Sequence, residues 1–519
     1  MERTTGRDAH RSNISVIHAL AQTVRSTLGP KGMDKMVVDG LGDIVVTNDG
    51  FTLLNEMRVR HPAAKLAIEA AVTQQDKVGD GTTTVIVLAG EVLRKAEDLL
   101  EMDLHPAVIA RGFRTAERMA QEILEDIGEA VGPDDDEIIT RIAHTAMTGK
   151  AVESAKETLA SLAIQAVRKV IRYDGKRAVI DDDGVKLERM VGEPTEASTL
   201  MKGVLLARER AHPSMPTRVE RANVGLIDQP IEIKDPEIAT RIHISDPRQM
   251  QAFVEQERKN LAEMVERIVA SGCNVLFCQQ NIEEPADDFL SQAGVFAVRR
   301  VPRGDLVRLA KATGARIVSS PHMLDAAYLG RAGKVREETL GKSTFIYVED
   351  CEDPKAVTLL VKGSTAHAAE EARRALEDAV GDIGSALTRG KVVAGAGAVE
   401  VELTRRLRER ARTELTGKER LVTEAFADAM TVVPRTLIES SGADAIDQLS
   451  LVEARHERHD IWCGFDVVSG QLVDAWEAGI LEPLEIKTQA LASATEVAVT
   501  ILRIDDILIG DAPAAESGG

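Results

Sequence analysis

KVGDGTTTVIVLAG, residues 77–90, sets one aspartate between two glycines, follows it with three threonines and then turns apolar. Gly79 and Gly81 let the backbone turn sharply and come close to a ligand. The threonines then open a helix, whose free N–H groups and positive dipole end suit a phosphate. Their hydroxyls add donors. Asp80, at the lip, can hold a Mg²⁺ that bridges phosphate oxygens, because this ion favours one or two carboxylates completed by phosphate and water. The competing reading is a polar turn that caps an ordinary helix. Consecutive β-branched threonines are poor helix starters, which weighs against it.

Three other stretches share the glycine-rich character. TLGPKGMDKM (27–36) joins a helix end to a turn, with Lys31 nearby. TNDGFTLL (47–54) places Asp49 in a turn, and KVVAGAGAVEVEL (391–403) runs from a strand-like start through Gly395 and Gly397 into a helix. Taken singly, each is a common cap or turn. The chain has no GxxxxGK[ST] loop, and the GAGAVE run at 395–400 lacks the third glycine of a dinucleotide fingerprint. HExxH, GxSxG and zinc-type cysteine spacings are also absent.

The chain has 519 residues, too many for one core, so roughly two to four domains are expected. Aromatics make up only 3%, so the cores must be aliphatic and alanine-rich. No apolar run is long enough for a membrane helix, and the polar start MERTTGRDAHRSN lacks a signal core. A cytoplasmic protein is the expectation. The net charge of −20 argues against a nucleic-acid binder. Acid runs such as PDDDE (133–137) and DDD (181–183) fit either a solvated surface or a protein adapted to high salt. Cys273, Cys278, Cys351 and Cys463 read as buried structural thiols.

Periodicity sorts the chain into regions. HRSNISVIHALAQTVRSTL, HPAAKLAIEAAVTQQ and TTTVIVLAGEVLRKAEDLLEMD read as helices, and two short strands flank Gly40-Leu41-Gly42. From about residue 204 short apolar runs (VGLID, NVLFC, VFAVRRV, ARIVSS) alternate with helical patterns, which indicates an α/β domain. After about 362 three further stretches are helical, ending in LVTEAFADAMTVVPRTLIESSG. Helical character at both ends points to one outer domain built from both termini, with the α/β domain inserted.

Taken in order, LGPKGMDKM, GDIVVTNDG, HPAAKLAIEAA, VGDGTTT, TAMTGK (145–150), HPSMP (212–216), ISDP (244–247), FADAM, PRTLIESSG, DAWEAGILEPLEIKTQA and ILRIDD resemble the group II chaperonins, the class of archaeal thermosomes and their eukaryotic cytosolic relatives. The resemblance covers nearly the whole chain. It implies a multidomain fold: a mainly α-helical equatorial domain (1–132 and 391–519), a small α/β intermediate domain (133–203 and 362–390) and an inserted α/β apical domain (204–361) with a helical lid protrusion at about 230–269. It also implies ATP and Mg²⁺ as cofactors. Asp80 would coordinate the metal, while Gly81, Thr82, Thr83 and Thr84 hold phosphates and Leu28, Gly29 and Pro30 line the nucleotide. Asp49 would position the attacking water or the γ-phosphate, Asp378 would be the catalytic carboxylate, and Lys150 would sense the γ-phosphate. Gly395 and Gly397 would face the nucleoside, with Asp474 and Glu477 at the ribose. The family usually has GGG where this chain has Gly395-Ala396-Gly397, which puts that contact in question.

The implied partners are like subunits, in a homo- or hetero-oligomeric double ring, and non-native client proteins. No nucleic acid, membrane or separate lid co-chaperonin is implied. Within the lid segment Asp246, Pro247 and Gln249 have helix-capping logic. Leu261, Met264, Val265 and Ile268 read as a face packed on its own domain, which leaves Met250 and Phe253 as candidate lid or client contacts. Two rivals stay open. One is a ring-forming structural oligomer without ATPase, which the retained Asp49, Asp80 and Asp378 oppose. The other is a dinucleotide-dependent oxidoreductase using the 395–400 turn, which the missing glycine opposes.

Overall fold

The helix that follows the glycine turn, Thr82–Glu101, is buried over much of its surface, including Val85, Ile86, Val87, Leu88, Ala89, Val92 and Leu93. It can be so because other helices wall it in: Arg7–Arg25, Pro62–Val78, Gly417–Met430 and Leu484–Leu502 all pack against it. The last of these is apolar almost all round, as a helix in the middle of a core must be. Small residues let the axes approach. A Cβ on Gly90 would press on that of Ala21, and one on Gly112 would press on Val422. The aromatic pair in this core is Phe113 and Phe426, with ring centroids 5.5 Å apart.

The computed structural model describes residues 2–509 except 39–41, 43, 58, 151, 175–176, 181–183, 234–246, 341–342 and 353. The chain divides into two units, Met1–Ala160 with Arg374–Gly519, and Ser161–Arg373. The first is the helical one, and both termini contribute to it, even to its edge sheet of Glu2–Thr5 and Asp506–Ile509. It also holds the hairpin Lys35–Val38/Ile44–Thr47 and a three-stranded sheet in which Lys391–Ala394 lies between Leu481–Pro483 and Glu129–Ala130.

The second unit is α/β. Its main sheet runs Phe296–Val298, Val275–Cys278, Arg218–Ile227, Gly330–Leu340, Ser343–Glu349, Val204–Leu206, and Ile317–Val318 also pairs with Arg218–Ile227. The apolar runs expected as strands are its parallel part. Helices Pro247–Ala270, Glu284–Gln292 and Arg303–Thr313 belong to the same unit. A smaller sheet places Val357–Gly363 between Val185–Val191 and Thr199–Met201. Leu261, Val265 and Ile268 are buried, and Met264 is partly buried against them, in a core with Ile227, Ile231 and Leu276. Asp246 and the side chains of Pro247, Arg248, Gln249, Met250 and Phe253 lie outside the described residues, as do Gly40, Leu41 and the acidic run 181–183.

The stretch LVTEAFADAMTVVPRTLIESSG, read as one helical region, is two helices, Gly417–Met430 and Val432–Ser440. Pro434 explains the break, since it has no N–H to continue the ladder. All four cysteines are free and buried. Among the described residues no helix is long and apolar enough to cross a membrane.

Candidate functional site

The helix Pro62–Val78 ends at Gly79 (φ 81°), and Gly81 (φ 87°) starts the next one. Both glycines are left-handed, a conformation that side chains resist. Gly81 brings no capping side chain, so the first N–H groups of Thr82–Glu101 are left for a ligand. The turn is clamped from the helix before it. Gln74 Nε2 donates to the Asp80 carbonyl at 2.9 Å and to that of Ile486 at 3.3 Å, and Gln75 Nε2 donates to the Gly79 carbonyl at 2.7 Å. The Asp80 carboxylate accepts from the Gly81 N–H.

The Asn48-Asp49-Gly50 turn lies against this helix start. A Cβ on Gly50 would collide with Thr83 Oγ1, so only glycine allows the approach. Asp49 caps the helix Gly50–Glu56 and accepts from the Thr52 N–H at 2.8 Å and the Thr52 hydroxyl at 2.6 Å. Thr47 Oγ1 accepts from both the Asp49 N–H and Arg374.

Lys150 and Asp378 form a close ion pair. Burial pushes the Asp378 carboxyl up to about 7 against the opposing pull of Lys150, and Asp80 and Asp49 push the same way as burial. Burial alone would lower the Lys150 ammonium, but Asp378, Asp80 and Asp382 hold it above its ordinary value. The neighbouring Gly149 has φ 80°, and a Cβ there would collide with Pro30. That contact brings the Leu28-Gly29-Pro30 turn to the same place.

A second cluster surrounds the turn at 395–397. Gly395 N–H donates to the Ile480 carbonyl at 2.8 Å, and the Ala396 carbonyl accepts from the Phe465 N–H at 3.0 Å. Gly397 lies on Pro434, where a Cβ would come within 2.7 Å. Ala396 itself has φ 55°, the left-handed region, in a non-glycine residue. The carboxylate of Glu482 sits against Gly395 and, like Glu400, binds Lys487, at 2.6 and 2.9 Å respectively. Asp474 and Glu477 are exposed; the Asp474 carboxylate accepts from the Trp476 N–H at 2.9 Å and the Glu477 N–H at 3.0 Å. Trp476 stacks on Trp462, with centroids 5.5 Å apart.

Residues 20–511 match the TCP-1/cpn60 chaperonin family. The chain belongs to that family. It is 52% identical over 507 residues to a thermosome subunit of Methanopyrus kandleri, covering 98% of this chain and 93% of that protein. It is 49% identical over 518 residues to the thermosome subunit beta of Archaeoglobus fulgidus, covering 100% and 95%. Among solved structures, an open-state monomer of a group II chaperonin from Methanococcoides burtonii matches with a TM-score of 0.62 and 39% identity, covering 82% of this chain and 100% of that one. The fold is therefore that of a group II chaperonin.

In this chaperonin the sequence-derived residues fall into one set and one outlier. Asp49, Asp80, Lys150 and Asp378 lie within one another's electrostatic reach. Thr83 joins them through Gly50, and Pro30 through Gly149. Gly395 and Gly397 are tied to the same region through Glu482, which feels the charge of Asp80. The Asp474 and Glu477 side chains are exposed, and their segment meets the 395–397 turn through the strand Cys463–Asp466, which pairs with Gln471–Asp474 and whose Phe465 N–H reaches Ala396. Sequence reasoning missed Gln74, Gln75, Asp382 and the Glu400–Lys487–Glu482 triad. Asp382 lies one turn after Asp378, but its placement depends on the contact of Gly79 with Gly381, distant in sequence; the glutamines carried no signal, because they act on backbone carbonyls.

The residues fit a metal that arrives with its ligand. Among the described residues no three His, Cys, Asp or Glu side chains form a ready-made cage. Asp80 beside a bare helix start instead offers a carboxylate next to a phosphate cradle, and Mg²⁺ accepts such an incomplete protein shell.

Proposed function

We propose that this chaperonin subunit is a Mg²⁺-dependent ATP hydrolase whose turnover drives the enclosure of non-native protein. The chain is an ATP-dependent molecular chaperone subunit. The reading rests most on one observation: the left-handed GDG turn, the uncapped helix start and the Lys150–Asp378 pair lie in one electrostatic neighbourhood. In this reading the Thr82, Thr83 and Thr84 N–H and hydroxyl groups bind phosphate oxygens, and Lys150 neutralises the γ-phosphate. Asp80 holds Mg²⁺, which when bound draws charge from the phosphates. Asp378 orients a water and takes its proton as the water oxygen bonds to the γ-phosphorus and the bond to ADP breaks. A carboxyl near 7 suits that role, because a base works best with a pKa close to the working pH. Asp49 supports the water or the γ-phosphate. Leu28, Gly29, Pro30, Gly395 and Gly397 line the nucleotide, with Asp474 and Glu477 at the ribose.

The wider reading keeps the equatorial, intermediate and apical spans 1–132/391–519, 133–203/362–390 and 204–361, with a lid at about 230–269. The partners are like subunits in a cytoplasmic double ring. The hairpin Lys35–Val38/Ile44–Thr47 supports assembly: Met36, Val38 and Ile44 are 67%, 57% and 62% exposed, and such an apolar edge suits strand addition to a neighbour.

The test is steady-state ATP hydrolysis by the wild type and Asp378→Ala, at low and at multimolar KCl, with particle size followed by light scattering. Ring-sized particles whose ATPase disappears in the variant support the reading. Ring-sized wild-type particles without ATPase under any condition overturn it in favour of a structural oligomer.

A further inference from the structure

Asp382 takes no part in the mechanism above. It lies one turn after Asp378 in the helix Ala366–Arg389, and the two side chains share a face. It is only 4% exposed. Its Oδ1 is buried and has no hydrogen-bond partner. The helix passes the GDG turn at Gly381 with no side chain between: a Cβ on Gly79 would lie 3.2 Å from the Gly381 Cα, and one on Gly381 3.3 Å from the Gly79 Cα. That glycine-on-glycine contact brings Asp382 into the field of Asp80, Asp378, Lys150 and Glu482.

A buried polar atom left unsatisfied costs about 1–3 kcal/mol, and more when charged. Lys150, whose charge Asp382 feels, is already engaged by Asp378. Asp80, Asp378 and Asp382 all act on Lys150, and Asp49 adds its charge at Asp378, before any nucleotide arrives. An entering triphosphate adds several negative charges, and one divalent cation at Asp80 leaves a large excess. The buried, unpartnered Asp382 Oδ1 is a carboxylate oxygen, the donor type chosen by hard cations such as Mg²⁺, Mn²⁺ and Ca²⁺. Because the side chains form no closed cage, the remaining ligands must enter with the cation.

We propose that Asp382 is a ligand for a second divalent cation, which enters with the nucleotide and is held between this carboxylate and the phosphates. The proposal rests on the ATP-site reading. The bland alternative is that Asp382 stays a neutral carboxylic acid of purely structural value.

The experiment counts bound Mn²⁺ by electron paramagnetic resonance, on assembled particles with saturating ADP or a non-hydrolysable ATP analogue. Wild type, Asp382→Asn and Asp382→Val are compared, with particle integrity checked by light scattering. The wild type is expected to bind two Mn²⁺ per nucleotide. Asp382→Asn and Asp382→Val are expected to bind one per bound nucleotide, with nucleotide occupancy measured in the same samples. One Mn²⁺ per nucleotide in the wild type, or two in both variants, overturns the proposal and leaves the ATP site intact. A wild type that binds neither nucleotide nor nucleotide-dependent Mn²⁺ overturns the ATP-site reading itself. If Asp382→Asn fails to assemble, Asp382→Val and the wild-type count decide.

Discussion

Around the GDG turn the contacts are made by side chains: Gln74 and Gln75 hold carbonyls, Asp49 caps a helix, and Lys150 grips Asp378. Around the Gly395–Gly397 turn they are made mainly by backbone and by apolar residues, with Ala394, Ala396, Ala398, Ala475, Trp462 and Ile480 packed together and the Glu482 carboxylate against Gly395. The difference matches the proposed ligand. Phosphates need directed charge and donors in a water-poor site, whereas a nucleoside needs mainly shape and a few backbone groups. Substitutions at the first end should therefore change turnover, and those at the second should change binding or stability by less.

The comparison breaks most easily at Asp378. Asp378→Ala should lower kcat by about 10²–10⁴, the usual worth of a positioned base, with Mg·ATP affinity nearly unchanged. Single-turnover hydrolysis beside equilibrium nucleotide binding checks it, and wild-type turnover in the variant removes Asp378 from the mechanism. Asp80→Ala should do the reverse and weaken Mg·ATP binding first. Unchanged affinity there removes the metal role of Asp80.

A shell behind the second end sets the next effect. Glu402 is 1% exposed and accepts from Arg405 at 2.7 Å, from Arg406 at 2.6 Å and from His456 at 3.0 Å. His456 Nε2 lies 2.8 Å from the carbonyl of Cys463, and the strand Cys463–Asp466 carries the N–H that meets Ala396. Burial pushes the Glu402 carboxyl up, but these three donors outweigh burial and hold it at about 2, below an ordinary 4.5. A depressed carboxyl stabilises the fold above its unfolded pKa, and that stability is lost as pH falls towards the folded value. Between about pH 4.5 and 2 the helical unit should lose about 3 kcal/mol from this group. Glu402→Gln should cost about 3–5 kcal/mol at pH 7, because it leaves buried donors unpaired, and should flatten that part of the acid profile. Urea midpoints measured across pH report both, and an unchanged acid profile in Glu402→Gln rules the group out.

What was legible in the sequence follows the same division. Asp80 and the threonines announced themselves, because charge beside glycine before an apolar run has few structural uses; Asp49, in a turn that is common taken singly, was read only through the family resemblance. The parallel strands of the second unit were legible as apolar runs such as VGLID and NVLFC. The long pair Gly330–Leu340 and Ser343–Glu349 was not, since KVREETL puts charged residues along a strand whose cross-strand partners, such as Glu349 for Lys334 and Arg336, only the fold supplies. Asp382 was hidden for a related reason. Its role depends on the Gly79–Gly381 contact, which joins residues distant in sequence and leaves no local pattern.

Glycine contacts at the first end give a smaller, sharper test. Gly149→Ala places a methyl group against the Pro30 backbone in a left-handed conformation. The strain should be about 1–3 kcal/mol, with the Pro30 turn displaced and KM for ATP raised more than kcat is lowered. An unchanged KM would separate the Leu28–Pro30 turn from the nucleotide.

The smallest effect is the most discriminating, because its sign is opposite. Ala396 stands at φ 55°, a conformation that favours glycine, and its carbonyl still holds the Phe465 N–H at 3.0 Å. Left-handed backbone costs a non-glycine residue about 1–2 kcal/mol. Ala396→Gly relieves that cost but loosens the unfolded chain by about 0.4–1 kcal/mol. The net gain should be about 0.5–1 kcal/mol, read as a raised urea midpoint of the helical unit, with kcat unchanged. ATP affinity should move by no more than about threefold, because the ligand-facing groups here are backbone and stay in place. A tenfold change in affinity would mean that the Ala396 methyl itself touches the nucleoside, and the second end would then, like the first, work through a side chain.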